Sequence, residues 1–134
     1  RYYMKNIVKT INAPAPIGPY SQAVKIGNTL YTSGQIAINP ETTKLEMDSI
    51  EIETHKVMRN MEAVLNTANM TFDDVVKTSI FILNMDNFSR INEIYGQYTL
   101  YWHEYAKRTQ LQRGKTKIYS NGRGGYYEVR DEKN

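Results

Sequence analysis

The side chains suited to polar chemistry in the N-terminal part of the chain lie in residues 12–36, NAPAPIGPYSQAVKIGNTLYTSGQI. This segment combines tyrosine, serine and threonine hydroxyls with one charged side chain, Lys25, and with glycines at Gly18, Gly27 and Gly34. Glycine weakens a plain strand, because it loses more backbone entropy on folding than other residues and has no side chain to pack. We therefore expect these glycines to bend the chain or to let another group approach the backbone.

Composition excludes several kinds of catalytic site. The chain has no cysteine, which rules out disulfides, thiolate nucleophiles and cysteine-based metal sites. Its two histidines, His55 and His103, are too few for a three-histidine zinc site. His55 falls on the polar side of the first predicted helix, and His103 falls near the end of the second, where a positive charge is favourable. We interpret both histidines as structural.

The net charge of +3 comes from the C-terminal segment. Residues 1–98 hold 9 Lys and Arg against 10 Asp and Glu, whereas residues 99–134 hold 8 against 4. A basic segment can contact nucleic acid, and the adjacent tyrosines of this one, Tyr126 and Tyr127, could imitate a stacking platform. No motif of a known RNA-binding module accompanies them. We interpret the segment as a solvated end and do not expect a nucleic-acid partner.

The length of 134 residues suits one domain with a single core. No apolar run approaches the roughly 18 residues of a membrane span, and the N-terminal RYYMKNIVKT lacks the apolar core of a secretory signal. The sequence thus predicts a soluble domain, 1–134, with no membrane partner. We expect it in the cytoplasm, or in the mitochondrion of a eukaryote.

The positioning elements begin with a hairpin. Residues 23–26 and 30–38 are predicted as strands, and Gly27 with Asn28 between them has the glycine in the first position of a two-residue hairpin loop.

Two helices follow from apolar residues at helical spacing. The first is predicted over residues 50–68, and Asp48 with Glu51 three residues later resembles a capping box at its start. The second is predicted from Asn87 to about Trp102, with Asp86 placed to cap it.

The remaining strands have uneven support. Residues 73–85 form a β-branched run that predicts a strand covered on one face. In the tail only TKIYS (116–120) and GYYEVR (125–130) alternate as strands do. Helices that separate strands in this way favour an α+β fold, with one mixed β-sheet and two helices packed on one face.

Three motifs now carry a family resemblance: APAPIGPYSQAV (13–24), LYTSGQIAINPETTKL (30–45) and DDVVKTSIFILNMDNFSRINEIYGQY (73–98). In order and spacing they resemble the RidA family, also called YjgF/YER057c/UK114, whose members are enamine/imine deaminases. The resemblance covers residues 9–98, while residues 99–134 are atypical. It implies a chorismate-mutase-like fold of the bacillar type and a homotrimer with its sites at the subunit interfaces.

The resemblance also implies a reaction. The family hydrolyses reactive enamines and imines released by pyridoxal-phosphate enzymes, such as 2-aminoacrylate, 2-iminobutanoate and 2-iminopropanoate, to 2-oxo acids and ammonia. A carbon–nitrogen double bond conjugated to a carboxylate is already electrophilic, so the protein needs a cation for the carboxylate, groups that orient the nitrogen and a positioned water. We therefore expect neither a metal nor an organic cofactor.

The cation for the substrate carboxylate is the central residue that the resemblance implies. The family places an arginine in a PAR(S/T) motif after the second helix, and its nearest counterpart here is YAKRTQLQ (105–112). This match assigns Arg108 as the catalytic arginine and Thr109 as the hydroxyl residue beside it. An arginine fork suits a carboxylate because it donates two parallel hydrogen bonds. The other interpretation of Arg108 is a solvated surface residue.

Five further residues receive roles from the resemblance. Tyr20 would line the pocket and bond the substrate, while Ser33 and Gly34 would bring the backbone close to the ligand. Asn92 corresponds to a pocket asparagine, and Glu128 is the candidate for the carboxylate that orients water. The alternatives are that Tyr20 packs under the sheet and that Asn92 only covers the helix surface.

The atypical tail leaves two explanations open. Its strands can survive in a divergent sequence, or a coding-frame slip near Tyr98 can have replaced the family ending. Two functions also compete with the deaminase: a non-catalytic trimer that binds small carboxylates or proteins, and an RNA-binding translation inhibitor or ribonuclease.

Overall fold

The computed structural model describes residues 4–99 and, beyond them, the backbone of residues 110–113, 116–120 and 126–131. The chain divides into two compact units, residues 1–71 and 72–134. The single domain expected from the sequence stays a prediction. In chain order the elements are β1 (Lys5–Val8), β2 (Ala23–Ile26), β3 (Thr29–Thr32), α1 (Ile50–Thr67), β4 (Lys77–Ile82), α2 (Phe88–Tyr98), β5 (Gln110–Arg113), β6 (Thr116–Ser120) and β7 (Tyr126–Asp131).

The first unit is built on an antiparallel sheet of order β1-β2-β3. Gly27 has a φ of 56°, in the left-handed region that glycine enters without a Cβ clash, and it opens the two-residue loop between β2 and β3. The predicted hairpin is therefore confirmed. Strand β1, by contrast, was missed, because KNIV offers too few apolar positions to establish an alternation.

Helix α1 covers one face of this sheet. Val64 and Ala68 form a buried core with Val8 and Ala23, and Leu30 packs against it. The helix begins at Ile50, as predicted, but its N-cap is Ser49 and not the expected Asp48. Ser49, with extended backbone, accepts a hydrogen bond from the Ile52 amide at 3.1 Å. The predicted cap at Asp48 is wrong by one residue.

The second predicted strand is much shorter than expected. β3 ends at Thr32, and residue 38 makes only an isolated bridge, between Ile38 and Leu45, among the described pairings of this stretch. One further bond continues the register of β2 and β3, in which Ala23 faces Thr32, because the Ser33 amide donates to the Gln22 carbonyl at 3.0 Å. Beyond Ser33 the chain leaves this antiparallel pairing.

In the second unit, α2 packs on β4 through a partly buried polar contact. The hydroxyl groups of Thr78 and Tyr95 lie 2.8 Å apart, and Tyr95 is 4% exposed. The predicted cap at Asp86 is wrong: Asn84 instead accepts from the Asp86 amide at the start of a short 3₁₀ turn that leads into α2. The predicted end of α2 near Trp102 lies outside the described residues, which follow this helix to Tyr98 and its C-cap Thr99.

The tail supplies strands to a second sheet of order β4-β7-β6-β5. β4 and β7 are parallel, while β7, β6 and β5 pair antiparallel, so this sheet is mixed. The two tail segments with strand alternation are indeed β6 and β7. The α+β class is confirmed, but the described strands form two sheets instead of one, because β1 to β3 pair with each other and β4 pairs with β7.

Within the described part of the chain, none of the helices combines the length and the apolar character needed to cross a membrane.

Candidate active site

The candidate site is an open concavity in the first unit, formed where residues 14–22 meet residues 34–38. Its enclosed volume is about 30 Å³, and the rest of the concavity is open to solvent. The lining combines aliphatic side chains with a few polar groups, chiefly Ile17, Tyr20, Gly34, Gln35, Ile36 and Ile38. None of the described lining residues carries a charge, so a bound carboxylate would need its cation from another segment or another chain.

Gln22 holds in place the first wall of the concavity, which is formed by residues 14–22. It is 3% exposed, its Oε1 accepts from the Thr10 amide at 2.8 Å, and its Nε2 donates to the carbonyls of Thr10, Ala13 and Pro14 at 3.0, 3.2 and 2.9 Å. Prolines in this segment remove backbone donors, so its carbonyls must find partners elsewhere. The Gln22 side chain thus makes hydrogen bonds to residues 10–14 that the backbone of a neighbouring strand would otherwise make.

The second wall of the concavity, residues 34–38, is held by another buried side-chain amide. Asn60 of α1 is 2% exposed, and its Nδ2 donates to the carbonyls of Ile36 at 3.0 Å and Ile38 at 2.9 Å. The same backbone stretch is held from its other side, because the Glu46 amide donates to the Ala37 carbonyl at 2.8 Å. Neither Asn60 nor Gln22 was singled out from the sequence, since their partners lie far along the chain.

Tyr20 lies on the concavity and not under the sheet. Its side chain is 48% exposed and lines the opening. The Tyr20 hydroxyl accepts from the Ile17 amide at 3.4 Å, and its backbone amide donates to the Gly18 carbonyl at 2.8 Å. The ring is therefore held locally by the backbone of residues 17–18, while the side chain as a whole remains accessible at the opening.

Gly34 faces open space within this chain. A Cβ built at Gly34 meets no heavy atom within 4 Å, and among the described glycines only Gly27 has a positive φ. Neither crowding nor backbone conformation in the described residues thus requires glycine here. Ser33 beside it uses its hydroxyl to donate to the Ser21 carbonyl at 2.6 Å. The predicted approach of a ligand to Ser33 and Gly34 stays a prediction, to which the open space at Gly34 adds support.

The other predicted site residues belong to the second unit. Asn92 lies on α2, partly buried. Glu128 lies in β7, in register with Ser79 of β4 and Ile118 of β6. Arg108 and Thr109 lie outside the described residues.

Gln35 was missed by the sequence analysis. Its partly buried side chain lines the concavity beside Gly34. A primary amide both donates and accepts hydrogen bonds, so it can orient either form of an imine nitrogen. Its position directly after the Ser-Gly pair was the available signal. Across residues 4–99 and the described strands, no cluster of three or more His, Cys, Asp or Glu residues could hold a metal ion.

A charged contact braces the second wall against α1. Asn39 donates to Glu46 Oε1 at 2.8 Å, and Lys56 Nζ lies 3.3 Å from Glu46 Oε2. The hydrogen bond from Asn39, followed by the contact with Lys56, lowers the pKa of Glu46 below its ordinary value. Lys56 and Asn60 are one helical turn apart, so both lie on the side of α1 that faces this wall.

The lowered pKa of Glu46 predicts an acid-dependent loss of stability. A carboxyl group whose pKa is lower in the folded state stabilises the protein above its ordinary, unfolded-state pKa of 4.5, and this contribution disappears as the pH falls through the folded-state pKa. The stability difference between the unmodified protein and Glu46→Gln, measured by urea unfolding, should therefore shrink from neutral to acid pH. Glu41→Gln, at an exposed position in the same loop, is the control. A difference that stays constant with pH would contradict the prediction.

Comparison with known proteins gives three consistent matches. Residues 10–112 match the family model described as Endoribonuclease L-PSP. A RutC family protein of Pyrococcus horikoshii is 42% identical over 71% of this chain and 75% of its own length. The 2-iminobutanoate/2-iminopropanoate deaminase of Dermatophagoides farinae is 46% identical over 67% of this chain and 70% of its own length.

Comparison with solved structures also finds a Rid family protein. A solved structure of a Yersinia pestis protein of unknown function, from the conserved Rid protein family, is 49% identical to this chain, with a TM-score of 0.69 over 71% of this chain and 75% of that one.

Proposed function

The chain belongs to the RidA family, that of the Endoribonuclease L-PSP model, and from this premise we propose that it is a 2-iminobutanoate/2-iminopropanoate deaminase. It would hydrolyse reactive imines and enamines to 2-oxo acids and ammonia. The observation that carries the proposal is the concavity on which Tyr20 and Gly34 converge. The choice of reaction is based on the deaminase of Dermatophagoides farinae, which is 46% identical to this chain.

In the proposed mechanism, water adds to C2 of the imine and the carbon–nitrogen π electrons pass to nitrogen. The resulting carbinolamine collapses to the 2-oxo acid as ammonia leaves with the transferred protons. Glu128 orients the attacking water, Arg108 holds the substrate carboxylate, and Tyr20 bonds the nitrogen. Thr109 and Asn92 complete the binding set. The chemistry needs no redox step and no cofactor, because the substrate carries its own electrophile.

The partner we propose for this chain is itself, as a homotrimer with sites at subunit interfaces. Ile7, Val24 and Tyr31 form one cross-strand row on the sheet face opposite the core, and Ile7 and Tyr31 are 59% and 65% exposed. A sheet with apolar residues on both faces is stable when both are covered. A neighbouring subunit would cover this face and could supply the cation that the described concavity lining lacks.

We expect a solution mass of about three times 15.5 kDa by light scattering. Tyr31→Lys should shift the protein to the mass of one chain at micromolar concentration, because it places a charge in the exposed apolar row. Asn66→Lys, at an exposed position of α1, adds the same charge elsewhere and should leave the mass unchanged. A monomeric unmodified protein would refute the trimer.

The proposed function is tested by generating 2-iminopropanoate and 2-iminobutanoate in situ with an amino-acid oxidase. The rate of 2-oxo acid release is compared with and without the protein, at an enzyme level that makes imine hydrolysis limiting. Acceleration that rises in proportion to added protein would support the deaminase. A folded protein that gives no acceleration would refute it, and the coding sequence after Tyr98 would then be examined for a frame slip.

The description of the matching family model favours one second candidate, an endoribonuclease or RNA-binding translation inhibitor. Binding of this kind would depend on Lys and Arg of the basic C-terminal segment and weaken steeply with salt. Cleavage of a labelled RNA that persists at low salt, from a protein inactive on imines, would favour it. Binding of 2-oxobutanoate without either activity would instead identify a non-catalytic carboxylate binder.

A further inference from the structure

Asn60 is an unusual residue for its position. It lies in the interior of helix α1 and is 2% exposed, although asparagine is a weak helix former and a buried amide is costly unless its hydrogen bonds are made. Both hydrogens of its amide nitrogen have acceptors, the carbonyls of Ile36 and Ile38. The Asn60 amide nitrogen therefore donates both of its hydrogen bonds to the wall of the concavity.

The wall segment, residues 34–38, is held at both of its ends. On the N-terminal side, Ser33 bonds the carbonyls of Ser21 and Gln22 through its hydroxyl and its amide. On the C-terminal side, Asn60 fixes the carbonyls of Ile36 and Ile38. Gly34 and Gln35 lie between these anchors and face the opening. A shift of either anchor would therefore change where these two residues meet a ligand.

We propose that Asn60 is a positioning residue for substrate binding, acting through the backbone of residues 36–38 on Gly34 and Gln35. This inference rests on the proposed deaminase function. Asn60 does not touch the concavity surface itself, since the lining comes from the wall segment and from residues 14–22. Its loss should therefore weaken substrate binding and leave the chemical step nearly intact.

The variant that tests this is Asn60→Asp, which preserves the shape of the side chain and removes both amide donors. Its carboxyl group would face two carbonyl oxygens with at most one proton to donate, so at least one of the two hydrogen bonds is lost and the wall segment should move away from α1. Asn66→Asp makes the same chemical change at an exposed position of the same helix and is the matched control. If Asn60→Asp does not fold, Asn60→Ser, which keeps one hydroxyl donor, replaces it.

We expect Asn60→Asp to raise KM for 2-iminobutanoate about 10-fold, the effect of losing roughly one net hydrogen bond, with kcat changed less than about 2-fold. Asn66→Asp should match the unmodified protein in both constants. In NMR spectra, the Gly34 and Gln35 amide resonances should shift in Asn60→Asp and respond to 2-oxobutanoate only at higher concentration than in the unmodified protein.

The possible results distinguish a failure of the positioning role of Asn60 from a failure of the deaminase function. A folded Asn60→Asp with unchanged KM, or with a lower kcat at unchanged KM, would overturn the positioning role while leaving the deaminase intact. An unmodified protein without imine hydrolysis would overturn the deaminase and, with it, this inference.

Discussion

Gln22→Leu is expected to lower the free energy of unfolding by about 3 kcal/mol, the largest stability change that we predict for a single side chain. Gln22 makes four hydrogen bonds to residues 10–14 and is almost completely buried. Leucine has a similar volume, so little cavity forms, but the Thr10 amide and the three carbonyls lose their partner. Water can reach some of these groups, which keeps the expected loss below the sum of four buried unsatisfied groups.

The measurement is urea unfolding at a fixed protein concentration, because the proposed trimer would make stability depend on concentration. Gln97→Leu, at an exposed position of α2, is the same chemical change without the buried contacts and should alter stability by less than about 0.5 kcal/mol. If both variants changed stability equally, Gln22 would not be the anchor of residues 10–14.

The elements that the sequence predicted well are those set by local periodicity. Helix α1 was predicted to within a residue of Ile50–Thr67, because its apolar positions repeat at helical spacing over many turns. The hairpin at Gly27 was predicted for a similar reason, since a two-residue loop needs a residue that tolerates positive φ. Both signals involve neighbours in the chain.

Cap positions depend on backbone angles that residue type alone does not determine. Asp48 and Ser49 are adjacent and both suit an N-cap. The helix uses Ser49 because that residue has extended backbone, with φ −147° and ψ 162°. A one-residue error of this kind is expected wherever two good caps stand side by side.

The two anchors of the candidate site could not be predicted, because their partners are distant. Gln22 bonds residues up to 12 positions away, and Asn60 bonds carbonyls 22 and 24 positions away. Nothing local distinguishes such an amide from a solvated one. The same distance effect shortened β3: the alternation continues past Thr32, but the carbonyls of Ile36 and Ile38 bond the Asn60 side chain of α1.

In the tail, local alternation predicted β6 and β7 but not their pairing. The parallel register of β7 on β4, with Glu128 beside Ser79, joins segments almost fifty residues apart and has no local signature. For the same reason the sequence could not show that the strands form two sheets. The site residues named by resemblance thus fall into two groups: Tyr20, Ser33 and Gly34 of the first unit, of which Tyr20 and Gly34 line one concavity, and those of the second unit.

Arg108→Ala is expected to reduce kcat/KM for 2-iminobutanoate by about 100-fold or more. In the proposed mechanism Arg108 donates two charge-assisted hydrogen bonds to the substrate carboxylate, and hydrogen bonds to charged groups contribute about 1.5–3 kcal/mol each. Since about 1.4 kcal/mol corresponds to a tenfold change, losing both bonds exceeds a factor of 100. Because the described lining of the concavity is uncharged, no residue there could compensate.

The matched control is Arg113→Ala, which removes an arginine from β5 in the same basic segment. If general positive charge attracted the substrate, both variants would lose activity to a similar small extent, and the loss would diminish at high salt. A specific carboxylate clamp predicts instead a large loss in Arg108→Ala alone, present at high salt as well. Full activity of Arg108→Ala beside an active unmodified protein would mean that another cation holds the carboxylate, and the remaining arginines of residues 99–134 would then be replaced in turn to find it.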